Sequence, residues 1–199
     1  MDRQKYDIVA TGHMGIGYPM VESIINSAKE HHSKPKTILG GVIITSEPSV
    51  IFESLKPTFG VLGEGEVTIL ELLECIEYKK DPNKVNGIIF RDKNNKTIIT
   101  PAQTPIKNLD ELPFPDFGGF QMEKRFEHLY SAFDYSDTIH DYPRNYLILA
   151  SRGCPFNCSF CYHSLGGQYR ERSIKNVIEE LKWAIDKYKI NSFFLNDDL

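Results

Sequence analysis

This 199-residue sequence lacks a long apolar run, an internal repeat and a low-complexity tract. Its charged start, MDRQKYD, leads into no apolar stretch, so neither a secretory signal nor a membrane span is expected, and the cytoplasm is the default compartment. A net charge of −4 leaves no basic footprint and argues against a dedicated nucleic-acid surface. Cysteine is scarce, four residues in all, yet three of the four fall between positions 154 and 161. In a reducing compartment such a cluster points to metal binding or redox chemistry rather than to disulfides. The hydrophobic share of 41% and aromatic share of 12% suit a globular chain of one large domain or two small ones.

The first hundred residues alternate short apolar runs with helical patterns. YDIVATG (6–12), KTILGG (36–41) and FGVLG (59–63) read as strands. Between them, Met20, Val21, Ile24, Ile25 and Ala28 recur at helical spacing, and Pro48 opens a short helix reaching Leu55. Glu66 to Tyr78 carries Ile69, Leu70, Leu73 and Ile76 on one face, and Cys75 in this segment reads as a small buried apolar residue. NGIIFRD and KTIIT then flank Asn94-Asn95 as a hairpin-like pair. The pattern predicts an α/β domain over 1–100 with a doubly wound parallel sheet, helices packed over it.

From Pro101 to Arg144 neither period persists and prolines recur at 101, 105, 113, 115 and 143, so a connector lying across the surface is expected, with a short helix over Gln121–Tyr130. Regular structure resumes with NYLILAS (145–151), read as a buried strand. Ser173 then caps a helix carrying Ile174, Val177, Ile178, Leu181, Ile185 and Tyr188, and NSFFLNDDL (191–199) reads as a further strand.

Between that first strand and that helix lies SRGCPFNCSFCYH (151–163), in which Cys154, Cys158 and Cys161 follow C-x3-C-x2-C. Such a loop can wrap three thiolates around one face of an iron–sulfur cube, with Gly153 easing the turn. A fourth thiolate would close the cluster, and none is nearby, so one iron would stay open to a substrate or cofactor. The alternative is a non-catalytic Cys3His zinc module with His163 as the fourth ligand. Arg152, Arg170 and Arg172 are candidates to offset a cluster's negative charge, although exposed arginines are the commoner case. Gly40-Gly41 and Gly63-Glu64-Gly65-Glu66 read as strand-to-helix turns, and they sit at the carboxyl ends of parallel strands, where open α/β sheets bind ligands.

The cysteine spacing, with Phe160 just before the last thiol, resembles the cluster loop of the radical S-adenosylmethionine superfamily. ILGG, GEGEVTILELLE, NGIIFRD, LDELPFPDF, RERSIKNVIEEL and FFLNDDL, in that order, resemble its subgroup with an N-terminal cobalamin-binding-like domain, from about Asp7 onward. The resemblance implies a [4Fe-4S] cluster on Cys154, Cys158 and Cys161, with S-adenosylmethionine chelated at the open iron and cleaved by one electron to a 5′-deoxyadenosyl radical. It places 145–199 at the start of a (β/α)6 partial barrel, and Asp197 and Asp198 where the family often holds a Gly-Gly-Glu-like segment touching the amino group of S-adenosylmethionine. It further implies a cofactor role for Phe160 and a reductant such as flavodoxin or ferredoxin, while Gly40 and Gly41 are candidate cofactor contacts by their place at a strand's carboxyl end. Cobalamin is the third cofactor it brings in, but the D-x-H-x-x-G loop that supplies the lower cobalt ligand is absent: His13 lies in GHMGIG with no aspartate two before it. Members of the subgroup methylate, methylthiolate, cyclise or rearrange, and the substrate, small molecule or macromolecule, is left open. The sequence resembles an internal slice of a longer enzyme, without the family's leading strands, and turnover by this chain alone is not expected.

Overall fold

The computed structural model describes residues 4–120, 123, 124, 126, 144–162 and 166–197. It divides into two compact units, the first ending at Pro105 and the second beginning at Ile106.

The first unit is built on a five-stranded sheet in the order β1-β2-β3-β4-β5. Strands β1 (Ile8–Gly12), β2 (Lys36–Gly40) and β3 (Phe59–Val61) are parallel. Helix α1 (Tyr18–Glu30) crosses from β1 to β2, and α2 (Val42–Ser46) with α3 (Pro48–Leu55) crosses from β2 to β3. Successive right-handed crossovers moving in one direction put their helices on one face. Val21 and Ile25 of α1, Ile43 and Ile44 of α2, and Phe52 and Leu55 of α3 accordingly share one core with Leu39. Helix α4 (Glu66–Glu77) covers the opposite face, where Leu72 and Cys75 pack with Ile38, Phe59 and Val61. The period of two along a strand divides neighbours between these cores: Ile88 and Phe90 join one and Ile89 the other.

The sheet is mixed rather than parallel. Strand β4 (Ile88–Arg91) runs antiparallel to β3, and β5 (Thr97–Ile99) antiparallel to β4, closing the expected hairpin at Asn95, whose φ is +62°. The connection after α4 explains the reversal. Residues 78–87, at roughly 3.3 Å each, carry the chain back to the end of β3 it had left, where Leu62 N–H donates to Gly87 O at 2.8 Å.

In the second unit β6 (Asn145–Ile148) pairs in parallel with β9 (Ser192–Leu195), and α5 (Ile174–Tyr188) lies between them in sequence. Among the described residues this is a two-stranded parallel sheet, not a closed barrel. The expected strand 145–151 is cut short at Ile148, and only alternate residues are buried: Tyr146 and Ile148 enter the core, whereas Leu147 is exposed. Ser173 caps α5 as expected, its Oγ accepting Asn176 N–H at 3.1 Å. The helix nevertheless uses only part of its expected face. Val177, Leu181, Ala184 and Tyr188 meet the core, while Ile174, Ile178 and Ile185 stay exposed.

Residues 106–120 form a strap on the second unit. Phe114 packs against Trp183, and Phe117 against Tyr146 and Tyr188. Phe117 N–H donates to Tyr188 Oη at 3.0 Å, and Asp110 Oδ1 accepts Ser173 N–H at 2.9 Å. Of the helix expected over Gln121–Tyr130, Glu123, Lys124 and Phe126 are helical and the rest lies outside the described residues. 

Candidate functional site

The cysteine loop hangs from a narrow neck. Strand β7 (Ser151–Arg152) pairs antiparallel with β8 (Arg170–Glu171), and the three thiols lie between them. At the top of the neck Gly153 has a φ of +79°, and a Cβ there would sit 2.4 Å from Gln168 O, so no other residue fits. Beyond it, Cys154 N–H donates to Gly166 O at 3.2 Å, and a turn closes with Cys161 N–H on Cys158 O at 3.0 Å. Cys154 is half-buried, Cys158 and Cys161 are exposed, and none is in a disulfide. Phe160 between the last two is 91% exposed. His163 and Asp198 lie outside the described residues.

No three His, Cys, Asp or Glu side chains among the described residues converge closely enough to hold a metal ion. The donor set nonetheless fits an iron–sulfur cluster: three thiols free of disulfides on one loop are the soft ligands such a cluster takes. Beside the loop, the buried Ser151 Oγ has no hydrogen-bond partner among the described residues.

Arg172 and Asp197 grip the backbone just before this loop. The side chain of Arg172 donates from Nη1 to Leu149 O at 3.0 Å, and its main-chain N–H donates to Ala150 O at 2.8 Å. Asp197 Oδ1, past the end of β9, accepts Ala150 N–H at 2.7 Å and Ser151 N–H at 2.9 Å. The guanidinium of Arg172 is itself held by Glu180 Oε2 at 2.5 Å and by Asn176 Oδ1 at 2.7 Å. Glu180 is 3% exposed, and its other oxygen accepts Tyr146 Oη at 2.6 Å. Burial, then the bond to Glu180, pushes the Tyr146 phenol well above its ordinary value.

Arg170 and Arg172 therefore depart from the exposed alternative weighed for the arginines near the loop. Arg172 is committed to Glu180, and the buried Arg170 donates to Ile106 O at 2.7 Å. Sequence periodicity gave no sign of the Tyr146–Glu180–Arg172 network. Its one signal was a glutamate on the side of α5 that meets the core, three before Trp183 and four before Ala184.

In the first unit, the carboxyl ends of β1, β2 and β3 are laced together by small residues. A Cβ on Gly12 would meet Gly40 O at 2.7 Å, which brings the first two strand ends close. Gly41, at φ +81°, caps α2 and lies against the His13 backbone, whose carbonyl accepts Ile43 N–H at 3.0 Å. Thr45 Oγ1 links Gly41 O at 3.0 Å to Gly63 N–H at 3.0 Å. Gly40 faces open space, with nothing within 4 Å of a Cβ position. His13 is folded over Gly17, with Nδ1 3.1 Å from Met14 O. Met14 and Ile16 stand exposed, as does Met20, which the helical spacing groups with the buried Val21, Ile25 and Ala28.

No protein-family model matches the chain. Among curated proteins it is 31% identical to an anaerobic magnesium-protoporphyrin IX monomethyl ester cyclase of Rubrivivax gelatinosus, over 98% of this chain and 34% of that protein. It is 30% identical to an uncharacterized methyltransferase of Pyrococcus horikoshii, over 88% of this chain and 36% of that protein. With the cytidylyl-2-hydroxyethylphosphonate methyltransferase of Streptomyces wedmorensis it shares 29% identity over 81% of the chain and 34% of that protein. The chain thus spans about a third of the length of these relatives. Among solved structures, the cobalamin-dependent S-adenosylmethionine radical enzyme OxsB with aqua-cobalamin bound superposes with a TM-score of 0.73 at 21% identity, over 96% of this chain and 25% of that one. The radical S-adenosylmethionine methyltransferase TsrM of Kitasatospora setae, with cobalamin and a [4Fe-4S] cluster bound, gives 0.70 at 17%, over 98% and 38%.

Proposed function

This chain belongs to the radical S-adenosylmethionine superfamily, in the subgroup with a cobalamin-binding domain, and on that premise we propose that Cys154, Cys158 and Cys161 hold a [4Fe-4S] cluster with one open iron. The observation that carries the reading is the loop itself: three thiols free of disulfides, presented beyond a paired neck whose first glycine admits no side chain. When bound, the cluster supplies an electron for reductive cleavage of S-adenosylmethionine, either generating a 5′-deoxyadenosyl radical or serving transfer of a methyl-type group.

The chain's own residues do the holding. The exposed Phe160 offers an apolar face beside Cys161, and Asp197 brings a carboxylate to the carboxyl end of β9, on the side where S-adenosylmethionine would bind. Gly40, open above its Cβ position, leaves room for a flat ligand at the end of β2, and Gly41 lets the chain turn there without a side chain in the way. Cobalamin is the ligand this end of the first unit would take, without an imidazole from a D-x-H-x-x-G loop. A small reductant protein such as flavodoxin or ferredoxin would deliver electrons, and the substrate class stays with the parts of the relatives this chain does not span.

Anaerobic reconstitution with iron and sulfide tests the reading. Brown protein holding about four irons per chain supports it, as four is the content of one cube. Colourless protein that takes up a single zinc in its place overturns it.

A further inference from the structure

Resting on that reading, we propose that Asp197, with Arg172 opposite it, is a positioning residue that fixes the backbone from which the cluster loop springs. Four successive main-chain groups are held. Leu149 O and Ala150 O accept from Arg172, and Ala150 N–H and Ser151 N–H donate to Asp197. The hold falls where β6 has ended and β7 is about to start, three residues before Cys154. Without it, the chain would cross from the parallel sheet to the neck with these groups unpaired, and Ser151 is buried, so water could not replace its partner. A carboxylate oxygen accepting two N–H groups makes charge-assisted bonds, roughly twice as strong as neutral ones.

Arg172 is a suitable opposing clamp because it is anchored elsewhere. Its fork spans Leu149 O, Asn176 Oδ1 and Glu180 Oε2, tying strand end to helix. Asp197 belongs to the segment past β9, so the clamp also ties the carboxyl end of β9 to the start of the loop. The carboxylate thus acts on the thiols through the backbone, by limiting where Cys154 can be, and its role is distinct from contact with S-adenosylmethionine.

Asp197→Ala and Asp197→Asn, in the full 199-residue chain, separate these roles, because the amide oxygen of asparagine can still accept from both N–H groups whereas its lost charge cannot serve an ammonium. Two measurements are made: hydrogen exchange at Ala150 and Ser151 in the cluster-free protein, and the rate at which a chelator removes iron after anaerobic reconstitution, followed by the electron paramagnetic resonance of the reduced cluster. In Asp197→Ala both exchange and iron loss should accelerate about tenfold or more, the scale of two charge-assisted bonds lost. Asp197→Asn should restore both to within about threefold of the original, the scale of a modest weakening of each bond. Faster exchange with unchanged iron loss in Asp197→Ala overturns the inference and leaves the cluster reading standing, as does unaltered exchange. Iron loss from Asp197→Asn as fast as from Asp197→Ala likewise overturns it. If the unaltered chain takes up no iron while Asp197→Ala still changes exchange, the cluster reading has failed and the positioning role falls with it.

Discussion

The hydroxyl of Tyr146 donates to Glu180 across 2.6 Å, joining the first strand of the second unit to the helix that follows the cysteine loop. Arg172 pairs with the other carboxylate oxygen, so both oxygens of a buried glutamate are occupied. A buried ion pair gains little over an apolar pair of equal volume, but losing one partner is expensive because the other charge is stranded.

Glu180→Ala should therefore destabilise the second unit by about 3–5 kcal/mol, the range for breaking a buried pair. Tyr146→Phe should cost less, about 1–3 kcal/mol, since it leaves one buried group short of a bond, and Glu180→Gln should fall between the two, because it strands the Arg172 charge but keeps an oxygen that can accept one hydrogen bond. Urea denaturation followed by Trp183 fluorescence measures all three. Equal losses for Glu180→Ala and Glu180→Gln would show that the lost charge, common to both variants, carries the whole effect.

The same tyrosine makes stability sensitive to alkali. Its native pKa is raised above the ordinary 10.0, first by burial and then by Glu180. Above pH 10 the unfolded chain gives up a proton that the native state retains, so stability is intact below pH 10 and falls as pH rises, by up to ~1.4 kcal/mol per unit for one such proton. Tyr146→Phe should flatten this fall, and an unchanged alkaline slope in that variant would assign the effect to other groups.

Cys75 should stay apart from the cluster. It is buried against the sheet, with its thiol pushed up by burial and its Sγ bonded to Lys80 O at 3.3 Å. A buried thiol with a raised pKa reacts slowly. An alkylating reagent should modify Cys158 and Cys161 in the native cluster-free protein well before Cys75. After reconstitution, Cys75→Ala should retain the brown chromophore that Cys154→Ala, Cys158→Ala and Cys161→Ala each lose.

The two adjacent glycines of ILGG should respond differently. Gly41→Ala places a side chain at φ +81° against the His13 backbone, and should cost about 1–2 kcal/mol or more, the scale of a left-handed non-glycine residue. Gly40→Ala enters open space, so its thermal midpoint should stay within about 2 °C, as for a change below roughly 0.5 kcal/mol. Loss of cobalamin binding in a fully stable Gly40→Ala would mark this position as ligand contact, and retained binding would remove it from the site.

If cobalamin binds, its cobalt should show no imidazole hyperfine splitting, because His13 is folded over Gly17 with Nδ1 turned to Met14 O. Splitting that vanishes in His13→Ala would show that this histidine swings out to the metal.

Much of this molecule is written in short-range pattern. A period of two assigns Ile88, Ile89 and Phe90 to alternate faces, Ser173 marks the start of α5, and the spacing of Cys154, Cys158 and Cys161 sets three thiols on one loop. The antiparallel turn of β4 was not legible, because a run such as NGIIFRD has the same pattern whichever way it is laid beside β3. Nor was the strap, since LDELPFPDF shows no period and its aromatic residues find partners on α5, about seventy residues away. Along the chain Glu180 reads as an ordinary polar residue, and Arg172 and Asp197 stand out only as candidates to face the cluster or S-adenosylmethionine, not as partners of the backbone before the loop. Only the packing of α5 and β9 against β6 buries Glu180 beside Arg172 and brings Arg172 and Asp197 onto the few main-chain groups before Cys154, a juxtaposition of distant segments that no local spacing encodes.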